Sequence, residues 1–181
     1  MVTFLRDQRD RIMKLNIGCG ADYRPGFINI DASSELNKVD RIINISVDSL
    51  ADHFEKNSVD FILANDIIEH HFHWEAVRIL RDLYRILKPG GECELRVPDC
   101  EKIVRSWRYS IEKKLTLLFG GQDIPQGIQP DMEASRTKYP YLFCHKYGWT
   151  KTRMKAELSG IGFKKIEFKS SGTNFITKAA K

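Results

Sequence analysis

No stretch of this sequence approaches the roughly 20 consecutive apolar residues that span a bilayer, and its opening MVTFLRDQRDRIMK lacks a hydrophobic signal core. These absences set the expectation of a cytoplasmic protein with no membrane partner. Cysteine is sparse. Cys19, Cys93, Cys100 and Cys144 lie far apart with no C-x-x-C spacing, which suggests neither a disulfide framework nor a zinc ribbon, so reduced thiols are expected. Compositional bias is missing too: 42% hydrophobic and 29% charged residues argue against disorder. A chain of 181 residues suits one well-cored domain and is short for two, so a single domain over 1–181 is expected.

What the chain does have is a net charge of +5, with Lys and Arg gathered in 102–114 and 151–169. Such charge attracts phosphates. Apolar residues interleave both clusters at helical spacing, which reads more simply as solvated helix faces than as a nucleic-acid surface.

The organising stretch is KLNIGCGADYRPGFINID, Lys14 to Asp31. A strand is predicted at Lys14–Ile17 and another at Phe27–Ile30, with Gly18, Cys19 and Gly20 after the first and Asp31 closing the second. Glycines at the carboxyl end of a strand let the backbone approach a ligand, and an acid ending the next strand can accept hydrogen bonds from ribose hydroxyls. That is half of a nucleoside site. The competing reading has Asp31 capping a turn through Ser33 and Ser34. Only Ala21 to Gly26 link the two strands, fewer than the dozen or so residues of a helical crossover, and Pro25-Gly26 reads as a turn. A third glycine is also missing. A dinucleotide oxidoreductase needs both that glycine and the helix.

Further along, a third strand is predicted at Arg41–Ile45, ending in Asn44 and Ile45, and a short amphipathic helix at Ser46–Lys56. The apolar run Val59–Ala64 reads as a strand covered on both faces, with Asn65 and Asp66 at its carboxyl end. A helix over Trp74–Leu87 is stopped by Pro89-Gly90-Gly91 and followed by a strand at Glu92–Val97. Residues Cys100–Phe119 read as one helix whose Trp107 and Tyr109 suit the core better than a pocket wall. The irregular stretch 120–147 reads as a lid over an acceptor site. Thr150 caps a helix at Lys151–Ser159, and strands at Phe163–Phe168 and Thr173–Thr177 close the chain. Residues 1–13 suit a short leading helix or a partly ordered arm.

Taken together, LNIGCG, GFINID, IIEH, RILKPGG and VPD resemble the class I S-adenosylmethionine-dependent methyltransferases, well over Lys14–Asp99 and loosely over Tyr147–Ile176. The resemblance implies an α/β, Rossmann-like fold: a mostly parallel seven-stranded sheet with an antiparallel C-terminal hairpin and a shortened first crossover. It implies S-adenosyl-L-methionine as cofactor, held by Asn16, Gly18, Cys19, Gly20, Asp31, Asn44, Ile45, Asn65 and Asp66. Three positions depart from the pattern: Asn16 and Asn44 stand where relatives carry acids, and Asp22 where they carry a further glycine. His70 falls at the family's E-H position beside the cofactor.

An oxygen or nitrogen acceptor can require a base, for which His70 and His145 are the candidates and Asp66 an alternative. His70 and His73 can share a helical face, and Cys144-His145 is a remote complement. No fourth ligand is evident, so no metal is expected. NDII is unlike the N-P-P-Y type associated with methylation of nucleic-acid bases. The resemblance favours a small-molecule acceptor or sugar, with Trp107, Tyr139, Tyr141 and Trp149 compatible with either. An RNA acceptor and a non-catalytic binding domain that has lost cofactor affinity remain the alternatives.

Overall fold

The apolar runs pair into one sheet in the computed structural model, which describes residues 12–181. The leading arm falls almost wholly on residues 1–11, outside the described ones. The strands are β1 (Lys14–Ile17), β2 (Ile28–Asp31), β3 (Arg41–Ile42), β4 (Val59–Asn65), β5 (Leu87–Pro98), β6 (Lys164–Ser171) and β7 (Asn174–Ala180). They form a seven-stranded sheet in the order β3-β2-β1-β4-β5-β7-β6. The first five are parallel, and β7 runs antiparallel to β5 and β6. The expected α/β architecture and final hairpin are therefore present. No helix lies between β1 and β2, so the first crossover is indeed short.

Because β1 has β2 on one side and β4 on the other, the loops leaving β1 and β4 diverge and open a crevice at the carboxyl edge of the sheet. The sheet is positioned by two long helices. In α2 (His73–Ile86), Ala76, Ile79, Leu80, Leu83 and Ile86 recur on one face and are buried; its first turn is closed by Glu75 accepting from the Phe72 amide at 2.9 Å. In α6 (Lys151–Ile161), Thr150 Oγ1 accepts from Arg153 N at 3.2 Å, and Met154 and Leu158 face the core.

Several elements depart from expectation. The third strand shrinks to Arg41–Ile42, since Ile43 and Ile45 reach the core from outside the ladder. The helix expected over Ser46–Lys56 is the single turn α1 (Leu50–His53), started by Ser49. Pro89-Gly90-Gly91 does not stop α2. The helix ends at Ile86, and the motif sits inside β5 at a shift of register between Val59 and Phe61. The stretch Cys100–Phe119 is two helices, α3 (Cys100–Arg105) and α4 (Ile111–Phe119), because Ser110 accepts from Lys113 N and starts a new one. Trp107, between them, is 86% exposed and belongs to neither core nor cavity. Within 120–147 lie α5 (Pro130–Lys138), opened by a proline, and a 3₁₀ turn at Pro140–Leu142.

Candidate active site

The glycine turn at the end of β1 is shaped by what faces it. Gly18 has φ +66, and a Cβ there would lie 2.6 Å from Ile67 Cδ1, so both backbone and space demand glycine. Gly20 N donates to Asp31 Oδ2 at 2.9 Å, and Ser33 N donates to Asp31 Oδ1 at 3.0 Å. Asp31 thus caps the turn after β2 and also faces the crevice. Asn16 is almost wholly buried. Its amide donates to Asp22 O at 2.7 Å and to Asn29 Oδ1 at 3.0 Å. Asn29 in turn donates to Asp40 Oδ2 through backbone and side chain, at 2.7 and 2.9 Å. This Asn16–Asn29–Asp40 chain braces the link that lacks a helix. In the sequence Asn29 reads only as the polar beat of a strand, so nothing local marks it.

A cavity of about 460 Å³ opens at the carboxyl edge of β1, β2 and β4. Asn16, Gly18, Cys19, Gly20, Asp31, Asn44, Ile45, Asn65, Asp66, His70 and His145 all line it, so every site residue expected from the sequence is brought to one place. Burial and the Asp31 charge push the Cys19 thiol up to about 12, which keeps it protonated. Asn44 Oδ1 accepts from Ser46 N at 3.1 Å. Asn65 Oδ1 is buried with no partner among the described residues. Asp66 adopts φ +53, rare for a residue with a side chain, and its carboxylate is held by the Arg96 guanidinium and by Asn174 Nδ2.

The histidines separate into two groups. His70 Nδ1 donates to Cys144 O at 3.1 Å and His145 Nδ1 to Leu118 O at 3.2 Å, and their rings meet edge to face with centroids 4.9 Å apart. Burial lowers both imidazoles, His70 to about 3, so both are neutral near pH 7. His73 instead turns to Glu157 on α6, at 2.9 Å, so the helical face expected to join His70 and His73 does not form. His71 is buried, its Nδ1 donating to Ile67 O at 2.9 Å.

A family model described as a methyltransferase domain matches residues 15–95. That match and the shared fold support a class I S-adenosylmethionine-dependent methyltransferase family. Solved structures of the same fold include a methyltransferase from Archaeoglobus fulgidus (11% identity, 96% of this chain and 87% of that one, TM-score 0.62). Another, from Mesorhizobium loti, is 13% identical over 94% of this chain and 91% of that one, with a TM-score of 0.63. Human N-acetylserotonin methyltransferase, solved with S-adenosylmethionine, matches 93% of this chain and 47% of its own length at 16% identity and a TM-score of 0.56. No curated protein sequence matches the chain significantly.

The cavity suits S-adenosylmethionine by its own features. The glycine turn leaves the cradle open where a Cβ at Gly18 would strike Ile67, and Asn65 Oδ1 stands ready as an unused acceptor. The roof comes from 120–147, where Met132, Ser135, Arg136, Leu142 and Phe143 line the cavity. Helix α5 is tied to the loop after β2 by a Lys138–Glu35 ion pair, by Tyr139 to Ser34 at 3.1 Å, and by Asn37 N to Asp131 at 3.1 Å. None of these roof residues announced itself, because the stretch has no periodicity. Of the aromatics weighed for the acceptor, Trp149 is fully buried in the core, Trp107 points to solvent, and Tyr139 and Tyr141 do not line the cavity. Phe143 does. A second hollow of about 230 Å³ shares Asp66, Gly121 and His145 with the first and adds Glu69, Thr116 and Asn174.

Proposed function

We propose that this methyltransferase acts on a small acceptor, a sugar or another small metabolite, which reaches the cavity beside Asp66 and His145. The observation that carries this reading is the small second hollow, of about 230 Å³, which shares those residues with the main cavity. Its size suits part of a small molecule.

When bound, S-adenosylmethionine supplies a methyl group on a positively charged sulfur, already a strong electrophile. The chain's task is to hold, align and keep water out. Asp31 has lone pairs left beyond those taken by Gly20 N and Ser33 N, and these accept ribose hydroxyls. Since Asn44 Oδ1 is engaged by Ser46 N, its Nδ2 is the group that reads the adenine edge, beside apolar Ile45. The backbone of Gly18, Cys19 and Gly20 lines the methionine part, with Asn65 and Asp66 on the opposite wall. Asn16 has a bracing role, because its amide is committed to Asp22 O and Asn29. Neutral His70 places no positive charge beside the sulfur, and the Nε2 of His145 accepts a hydrogen bond from the incoming acceptor. Met132, Leu142 and Phe143 exclude water from above.

Calorimetry tests the cofactor assignments. S-adenosylmethionine and S-adenosylhomocysteine are expected to bind in the micromolar range. Asp31→Ala should weaken them at least about tenfold, the equivalent of the ~1.5 kcal/mol typical of a charged hydrogen bond. Binding of NAD in their place, or of none of the three, would overturn the reading and favour a domain that has lost its cofactor. With binding in hand, acceptor screening that yields methylated RNA and no small-molecule product would overturn the acceptor class.

A further inference from the structure

Methyl transfer as described leaves Glu69 without a task. It is 1% exposed, neither carboxylate oxygen has a hydrogen-bond partner among the described residues, and it borders the second hollow. A buried carboxyl with no partner is costly, since desolvation is not repaid by any hydrogen bond, and a bound ion is one of the ways in which proteins meet that cost. Glu69 sits on the 3₁₀ turn Ile68–His70, next to His70, and its backbone oxygen accepts from Lys146 N at 2.8 Å and Tyr147 N at 3.2 Å. Those bonds pin the 145–147 segment to the turn and bring His145 alongside. His145 N is held in addition by Phe119 O at 2.9 Å.

From this geometry we infer that Glu69, His70 and His145 form a binding site for one divalent transition-metal ion. One ligand-capable atom from each lies within 4.8 Å of the other two. Metal bonds of about 2.0–2.2 Å hold neighbouring ligand atoms about 3.3 Å apart, so side-chain movement of no more than about 1.5 Å closes the set. Both imidazoles are already oriented for it. Each directs its Nδ1–H to a backbone carbonyl, of Cys144 and of Leu118, which leaves the Nε2 lone pair for the ion. Arg96 lies nearby, but its charge is answered by Asp66, so the Glu69 carboxylate remains to balance a cation. Two imidazoles and one carboxylate favour zinc, manganese or iron(II) over calcium or magnesium, which prefer an all-oxygen shell.

Three protein ligands leave coordination positions open. His70 faces the main cavity, Glu69 the second hollow and His145 both, so the ion stands at their junction, where an acceptor oxygen can complete its shell. With the ion in place, His145 Nε2 ligates it, and the ion takes over contact with the acceptor. The inference rests on the methyl-transfer reading for this role, but not for the binding of the ion.

The test strips the full-length protein with a chelator and titrates Zn²⁺ and Mn²⁺ by calorimetry, with elemental analysis of the reloaded protein. One ion per chain is expected. Loss of a second-sphere partner already costs 10–100-fold, so Glu69→Gln and His145→Ala should each weaken binding at least about 100-fold. His73→Ala, which removes a histidine outside the set, should leave it unchanged. Glu69→Gln keeps shape and removes charge, so its ion-free thermal midpoint should match or exceed that of the parent, which separates lost ligation from lost folding. Absence of a stoichiometric ion, or binding by Glu69→Gln as tight as by the parent, overturns the inference. S-adenosylhomocysteine titrated into the ion-free protein reports separately on the cofactor site, so failure of one reading is distinguishable from failure of the other.

Discussion

At the scale of single residues, space and hydrogen bonding decide more than residue type. Gly18 is required both by its positive φ and by Ile67, whose Cδ1 lies 2.6 Å from where a Cβ would stand. Gly18→Ala should therefore lower the stability to urea unfolding by about 1–3 kcal/mol, the usual cost of overpacking, and should narrow the cofactor cavity. Gly20, with open space around its would-be Cβ, should tolerate the added methyl sterically and suffer only from its φ of +49. Asp31 was legible because a strand-ending acid next to a glycine turn is a local pattern. Asn29 and Glu69 were not, because their importance comes from partners or from their absence. Asn29 joins Asn16 to Asp40 across the sequence, and Glu69 is isolated by burial that no neighbour in sequence reveals.

At the scale of elements, strong periodicity was reliable and irregular stretches were not. Helix α2 came out within a residue of its expected limits, since its apolar face recurs over four turns. The Cys100–Phe119 stretch carries apolar residues throughout, yet a serine cap divides it. Helix α5 has little amphipathic signal, and it holds its place through polar ties to the loop after β2. Those ties hold it beside the main cavity, which its Met132, Ser135 and Arg136 line. The double variant Asp131→Ala/Lys138→Ala removes two of them. Both ties are exposed and individually weak, so affinity for S-adenosylhomocysteine should fall by about fivefold, chiefly through faster dissociation, with little change in thermal midpoint. Stopped-flow fluorescence and a melting curve would check both halves of that expectation.

At the scale of the whole molecule, acid sensitivity follows from carboxylates that tie distant segments together. Hydrogen bonds from the backbone and then the side chain of Asn29 hold Asp40 below the ordinary carboxylate value of 3.8. For Asp60, partial burial raises the carboxyl, but the Lys88 ammonium and the Met13 amide outweigh it and the net direction is down. Groups with depressed folded values contribute stability that is present above about pH 4 and is lost as pH falls below it. The urea midpoint should thus be insensitive to these two groups from pH 7 to 5 and fall steeply between about pH 4 and 2, while the charge of +5 grows and adds self-repulsion. Asp40→Asn and Asp60→Asn should each flatten that fall.

The sequence by itself determined the apolar runs of strand length, the glycine turn with an acid closing the next strand, the short link between those two strands and the helix with a regular face, all of them short-range patterns. The seven-stranded, mostly parallel sheet and the set of residues at its carboxyl edge were expected from the resemblance that those motifs carry. Only the tertiary structure decided which of those residues are committed elsewhere, as Asn16 is, and which stretch of 120–147 roofs the cavity. It alone placed His145 beside His70 and left the Glu69 carboxyl at the second hollow without a partner among the described residues. The reason is physical: a polar group's chemistry depends on the water it has lost and the partners it has gained, and both are set by segments that lie far apart along the chain.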